Sequence, residues 1–157
     1  MPLAGWLWLA LAAYAVHMLE EYELDWRNWA RAVIGLPVEW ADFYVTNAIV
    51  IVLGIAAAQI GAQAPAVSLA FPALMLINAT FFHVLPVLRT GGCNSPGVFT
   101  AVVLFYPVAF ACYWRAAQDG LLDLPALAGS LAIGALLMAS PVVLLKIKHK
   151  PYFRQDR

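Results

Sequence analysis

Tyr14-Ala15-Val16-His17-Met18-Leu19-Glu20-Glu21-Tyr22 closes an otherwise apolar run that begins at Leu3. On a helix, His17 stands three residues before Glu20 and four before Glu21, so these side chains meet on one face. Tyr14 lies one turn back on the same stripe. A run of about twenty apolar residues is long enough to cross a hydrocarbon core. Ionisable groups at the end of such a segment are costly and point to function.

Composition places the whole chain in a membrane. It is 64% hydrophobic and 11% charged, with mean hydropathy +0.79, against about 45–50% and about 25% for a soluble domain. The formal net charge is zero, which gives no footprint for nucleic acid. Cys93 and Cys112 fall in different layers of the chain, so no disulfide is expected, and no zinc-type cysteine spacing is present. The start of the sequence has no basic region ahead of its apolar run, so a cleaved signal peptide is not expected.

Five segments are long and apolar enough to span: Leu3–Tyr22, Ala41–Gln63, Ala66–Leu88, Pro96–Ala116 and Pro125–Leu145. The predicted fold is all-α, a bundle of five transmembrane helices forming one domain over 1–145, followed by a basic cytoplasmic tail over 146–157. Between the first two spans, Trp26, Trp29 and Val33 recur at helical spacing among Arg27 and Arg31. That pattern predicts a short interfacial helix ended by Gly35 and Pro37. Ser95-Pro96 reads as an N-cap followed by proline at the first helical position. With alternating spans and the N-terminus outside, Arg27, Arg31, Arg89, Lys146, Lys148, Lys150, Arg154 and Arg157 share one side and Arg115 stands alone on the other. This positive-inside bias predicts a cytoplasmic C-terminus.

At about 1.5 Å per helical residue, His17 and His83 fall at similar depth in two spans running inward. Asn47 and Thr100 fall at matching depth in two spans running outward, and Asn78 lies a little deeper. Each has an ordinary reading taken singly. Glutamates at a span end snorkel into headgroups, asparagines join helices, and a lone histidine is hydrogen-bonded to a neighbour. Asp42 reads as a boundary charge, Arg89 as an anchor, and His149 carries no role. Together, polar groups from four helices at one depth are most simply one pocket opening to the cytoplasmic face.

His17-Met18-Leu19-Glu20-Glu21 is H-x-x-E-E. Asn78 and His83 follow in a later span, and Asn94-Ser95-Pro96-Gly97-Val98-Phe99-Thr100 leads into the next. In these three elements the chain resembles the HXXEE-domain family of small bacterial integral membrane proteins. Two departures stand out: an aromatic such as tyrosine is expected two residues before the proline, where this chain has Asn94, and the Asn78–His83 spacing is slightly long. The resemblance implies location in the bacterial cytoplasmic membrane and an active site at these motifs.

The leading expectation is an intramembrane enzyme performing acid–base chemistry (isomerisation, cyclisation or hydration) on a membrane lipid or lipophilic small molecule. His17, Glu20, Glu21 and His83 are the candidate catalytic residues. Tyr14, Asn47, Asn78, Pro96, Gly97 and Thr100 are candidates for substrate binding, and Phe81, Phe82 and Tyr106 for shielding it. A second reading is a zinc or iron hydrolase or oxidase. His17, Glu21 and His83 would then be ligands and Glu20 the base toward a metal-bound water. A third, a small proton or cation transporter or an assembly protein, ranks lower. Five spans show no inverted repeat, and the outer half is nearly without polar residues.

Overall fold

Capping chemistry sets where the helices begin. The computed structural model describes residues 1–148 and Tyr152. The first helix, α1 (Leu3–Glu23), starts after the extended backbone of Pro2, whose carbonyl accepts from Gly5 N at 3.0 Å. The short α2 (Trp26–Val33) is capped by Asp25, which accepts from the Asn28 backbone at 3.5 Å and from Asn28 Nδ2 at 2.6 Å. The second span, α3 (Trp40–Gln63), opens with a capping box in which Glu39 N donates to Asp42 Oδ2 at 2.9 Å. Glu39 also accepts from Arg27 Nε at 3.0 Å and pairs with Arg31, fastening α2 to the start of α3. The hydrogen bond from Arg27, with Arg31 beside it, holds the Glu39 carboxyl below the usual carboxylate range. Three further spans follow: α4 (Pro65–Arg89), α5 (Val98–Gln118) and α6 (Leu124–Ile147). Asp123 caps α6 by accepting from Ala126 N at 2.7 Å, with Pro125 in the first turn.

Five helices among the described residues are therefore long and apolar enough to cross a membrane. Four of the expected starts lie within a residue of the observed ones. The exception is the fourth span. Ser95 does not cap a helix and Pro96 is not its first residue. The chain makes a turn from Ser95 to Val98, closed by Val98 N to Ser95 O at 2.9 Å, and α5 begins at Val98. Gly97, at φ 94° and ψ −11°, takes the third position that a type II turn reserves for glycine. At the other end, α6 continues through Lys146 and Ile147, the first residues of the expected tail. His149 and the rest of that tail, Tyr152 apart, lie outside the described residues. Cys93 is exposed, Cys112 is buried, and both are free thiols.

The interfacial helix forms as expected. Trp26, Trp29 and Ile34 pack around buried Ala30 and Val38 and reach Leu145 near the end of α6. In the bundle, α1 lies against α3 and α5, and α4 lies against α5 and α6. The α4 span is half buried, whereas α6 is only 11% buried, so α4 is the central rod and α6 a peripheral one. Lipid tails are as apolar as the helix surfaces, so close approach of small residues has to hold such a pair. At Gly134 an added Cβ would stand 2.7 Å from Ala73 Cβ and 3.0 Å from Ala70 O. Tyr113 adds a polar tie across three helices, with its hydroxyl 2.9 Å from Ser130 Oγ and 3.3 Å from Leu69 O.

Gly134→Leu should push α6 off α4 and cost about 1–3 kcal/mol of stability. Thermal unfolding in detergent would show a lowered midpoint. Ala135→Leu, on the exposed face, should leave that midpoint unchanged, and equal effects of the two would refute this account.

Candidate functional site

The three elements singled out in the sequence meet at one end of the bundle. From α1, His17 and Glu21 project on one face, with His17 Nε2 3.6 Å from Glu21 Oε1. From α4, His83 brings its Nε2 to 3.4 Å from the same oxygen. The two imidazoles stand edge to face with centroids 4.7 Å apart, and both are 0% exposed. Glu21 is buried beside them. Phe105 of α5 lies 4.2 Å from the His17 ring centre to centre.

His83 reaches this place because α4 is not α-helical throughout. From Ala79 to Val84 it is a π-helix, with Leu85 N bonded to Thr80 O. Hydrogen bonds five residues apart stack residues five apart, so Asn78 and His83 stay on one side of the helix. The long Asn78–His83 spacing noted in the sequence is thus absorbed by the wider turn. Thr80 Oγ1 takes up Leu76 O at 2.7 Å within the altered ladder. A second π segment, Ala101–Phe105, follows the start of α5 and positions Phe105.

The Pro96–Gly97 turn packs directly on the cluster. A Cβ at Gly97 would lie 2.7 Å from Cε1 of both His17 and His83, and 3.0 Å from Glu21 Cγ. Glycine is required here twice over, by its positive φ and by this contact. Pro96 is buried in the same turn. Neither residue lines the cavity described below; the turn closes the opposite side of the centre.

The outer partners of the histidines fix their ring protons, an assignment that follows from the hydrogen-bond network. Thr100 Oγ1 is 2.5 Å from Glu20 Oε2, and a carboxylate only accepts, so the threonine proton points there. The same Thr100 oxygen is 2.8 Å from His17 Nδ1 and must accept from it. Ser95 Oγ donates to Phe82 O at 3.4 Å, a carbonyl that Pro86 cannot serve for want of an N–H, and accepts from His83 Nδ1 at 3.1 Å. With both Nδ1 atoms donating outward, each ring turns its Nε2 toward Glu21. Neither Nε2 has a hydrogen-bond partner.

Glu20 does not face the cluster. Its carboxylate accepts from Phe99 N at 3.2 Å and Thr100 N at 2.8 Å, occupying the N-terminus of α5. It stands behind His17, with Thr100 between them.

On the other side of Glu21 lies a cavity of about 70 Å³. Tyr14, Glu21, Asn47 and Asn78, with Asp42 and Thr46, form its polar part. Tyr14 donates to Asn47 Oδ1 at 2.6 Å, and Asn47 Nδ2 to Phe43 O at 2.9 Å. Asn78, 8% exposed, has an Oδ1 with no partner. Trp26 and Val38 close the cavity from the α2 connection, and Met138, Pro141, Val142 and Leu145 from α6. Of the expected shielding aromatics, Phe82 lines it, Phe81 is exposed on the helix surface, and Tyr106 instead bonds Thr80 Oγ1 at 3.0 Å. Asp42, read as a boundary charge, lines the cavity mouth and pairs with Lys148 at 2.5 Å. Ser95, Phe105 and the α6 wall were missed by sequence reasoning. Only Ser95 left a signal, as a hydroxyl inside a motif, where its proximity to proline suggested a cap.

Fold and site together define a small polytopic membrane protein with a buried histidine–glutamate centre. The chain belongs to the HXXEE family: the model described as "Protein of unknown function with HXXEE motif" matches residues 8–112, a stretch that holds His17, Glu20, Glu21, His83 and the Pro96–Gly97 turn. No curated protein and no solved structure matches the chain.

Thr100→Val should leave His17 Nδ1 and Glu20 without their shared partner and cost about 1–3 kcal/mol. Thr100→Ser should restore most of it, since the hydroxyl is the working part. Thermal unfolding of the two variants checks this, and equal losses would mean that the methyl group, not the hydroxyl, matters.

Proposed function

We propose that this protein is an integral membrane enzyme acting on a lipophilic substrate, with a zinc or iron ion held by His17, Glu21 and His83. The observation that carries the reading is the convergence of two bare Nε2 atoms on one carboxylate oxygen, at 3.4 and 3.6 Å. Ligands about 2.0–2.2 Å from a tetrahedral metal stand roughly 3.4 Å from each other. The three residues offer ligand atoms that all lie within 4.8 Å of one another. Two imidazoles and one carboxylate, with a fourth position open, is the donor set of a catalytic rather than a structural site. An ion held by these three residues would supply Lewis acidity toward a bound substrate. Thr100, with Glu20 behind it, and Ser95 hold the rings in the ligating tautomer, the usual task of a histidine's outer hydrogen bond.

Magnitudes argue against a cluster that merely joins helices. An interhelical hydrogen bond in a membrane is worth about 0.6 kcal/mol on average. A buried polar atom left unpaired costs about 1–3 kcal/mol, and two such atoms face each other across Glu21 here. A metal-free reading has one observation in its favour: Glu21 also lines the cavity. In that reading Glu21 and the histidines share a proton and pass it to and from the substrate.

The membrane concerned is the bacterial cytoplasmic membrane, with the N-terminus outside and the centre near the cytoplasmic end of the spans. The cationic residues Arg27, Arg31, Arg89, Lys146 and Lys148 support this through the positive-inside bias.

Elemental analysis of protein purified without chelators should find zinc or iron near one equivalent per chain. His17→Ala/His83→Ala should lose it. A chain with no metal in either form would discard the metal and leave the proton-sharing reading. The topology has its own check. Cys93, exposed in the α4–α5 connection, should resist a membrane-impermeant maleimide applied to intact spheroplasts and react once they are opened. Labelling of intact spheroplasts would reverse the orientation.

A further inference from the structure

We infer that the cavity beside Glu21 receives the polar end of a single-chain membrane lipid carrying a hydroxyl or amide N–H, which slides in from the bilayer between α3 and α6. This deepens the proposed function and rests on it for the chemistry, though not for the binding.

Three independent features meet at that seam. First, α6 packs along α4 and makes few close approaches to α3, so side chains alone close the gap. Second, a groove of about 350 Å³ runs on the outer surface of the same seam, flanked by Val45, Leu144 and Ile147. It shares Asp42, Thr46, Pro141 and Leu145 with the cavity, so one layer of side chains separates the groove from the cavity beside Glu21. Third, the cavity presents an unsatisfied acceptor. Asn78 Oδ1 is buried with no partner, and a native group of this kind calls for an explanation such as a ligand.

Size and polarity narrow the occupant. A cavity of about 70 Å³ has room for about five water-sized positions, enough for a small polar head and not for two chains. The groove is apolar apart from Asp42, Thr46 and Lys148 at its margins, suited to one hydrocarbon chain lying along α3 and α6. A head that donates a hydrogen bond suits the unpartnered Asn78 Oδ1, with the Glu21 carboxylate beside it and the Tyr14 hydroxyl proton already committed to Asn47. Pro141 removes one rung from the α6 ladder, within a helix that continues to Ile147. It has no N–H for Leu137 O, and Ser140 Oγ serves that carbonyl at 2.8 Å, so the local break carries little cost. The Asp42–Lys148 pair at 2.5 Å ties the cytoplasmic end of the same seam.

The test uses the purified full chain in detergent and a long-chain primary alcohol bearing a photoreactive diazirine. Crosslinks mapped by mass spectrometry should concentrate on Thr46, Pro141 and Leu145. Leu145→Trp should abolish them, and Val142→Trp, filling from the other flank, should do the same if the first variant fails to fold. Asn78→Leu should weaken half-saturation about tenfold, the loss of one hydrogen bond to a buried group. Labelling spread evenly over the outer helix faces, or unchanged in both tryptophan variants, would overturn the inference. Equal competition by butanol and by the unlabelled long-chain alcohol would overturn the lipid assignment in favour of a soluble ligand. Metal content of the same samples is read separately. Crosslinking without metal would preserve the binding site and remove the metal reading; metal without localised crosslinking would do the reverse.

Discussion

One oxygen atom, Glu21 Oε1, facing two imidazole nitrogens is the constraint on which this structure depends. With both rings neutral, two lone pairs and a carboxylate repel one another in a dry interior unless something positive lies among them; a proton on either Nε2 or a metal ion supplies that charge. The protein nevertheless builds everything nearby to keep them there. Thr100 and Ser95 occupy the outer nitrogens. Phe105 covers one ring, and the Gly97 turn closes the cluster with no room for a single methyl. A bundle seeking stability alone would replace such a group with leucines and gain, because buried ionic clusters seldom repay their desolvation. The arrangement is therefore better understood as a site that the fold supports than as a strut that supports the fold.

Backbone irregularity falls where the site needs it. The π-helix over Ala79–Val84 carries His83, and the one over Ala101–Phe105 carries the aromatic wall. The two segments touch each other across the α4–α5 contact. Such segments are rare and gather at functional sites. Here the physical gain is specific: a wider turn keeps Asn78 on the cavity and His83 on the centre, five residues apart on one side of the helix. The two helices divide the labour, α4 supplying a ligand candidate and α5 its covering ring.

Much of this was legible in the sequence. Apolar length alone located the spans, because a bilayer imposes one length on every crossing. The pairing of His17 with Glu21 followed from helical spacing, and the meeting with His83 from matched depth. The roles within the motif were not legible. Glu20 and Glu21 are adjacent, so they point about 100° apart on a helix, and only tertiary packing decides that Glu20 turns to the α5 terminus while Glu21 turns inward. Ser95 before Pro96 has the local chemistry of a cap. The bond to His83 that overrides it joins residues twelve apart through a loop. The α6 wall left no signal, since its contribution is apolar in a helix that is apolar throughout.

The geometry also decides from which direction chemistry can be approached. The Gly97 turn and Phe105 seal the centre toward α5, and Thr100 with Glu20 seals it behind His17. Glu21 faces both histidines and lines the cavity, and Tyr14 lines the cavity with its ring 6.4 Å from that of His17. On the proposed reading the substrate comes from the cavity, whose walls include α2 and α6, and these hold none of the four ionisable groups of the motif. On the proposed reading, Tyr14 and Asn78 share their helices with the reactive centre, while the rest of the cavity wall comes largely from α2, α3 and α6. The centre lies in the stretch from Trp8 to Cys112 that defines the family. Met138, Pro141, Val142 and Leu145, which line the cavity, lie beyond it. On the proposed reading, changing those four side chains would alter which molecule reaches Glu21 without touching His17, Glu21 or His83.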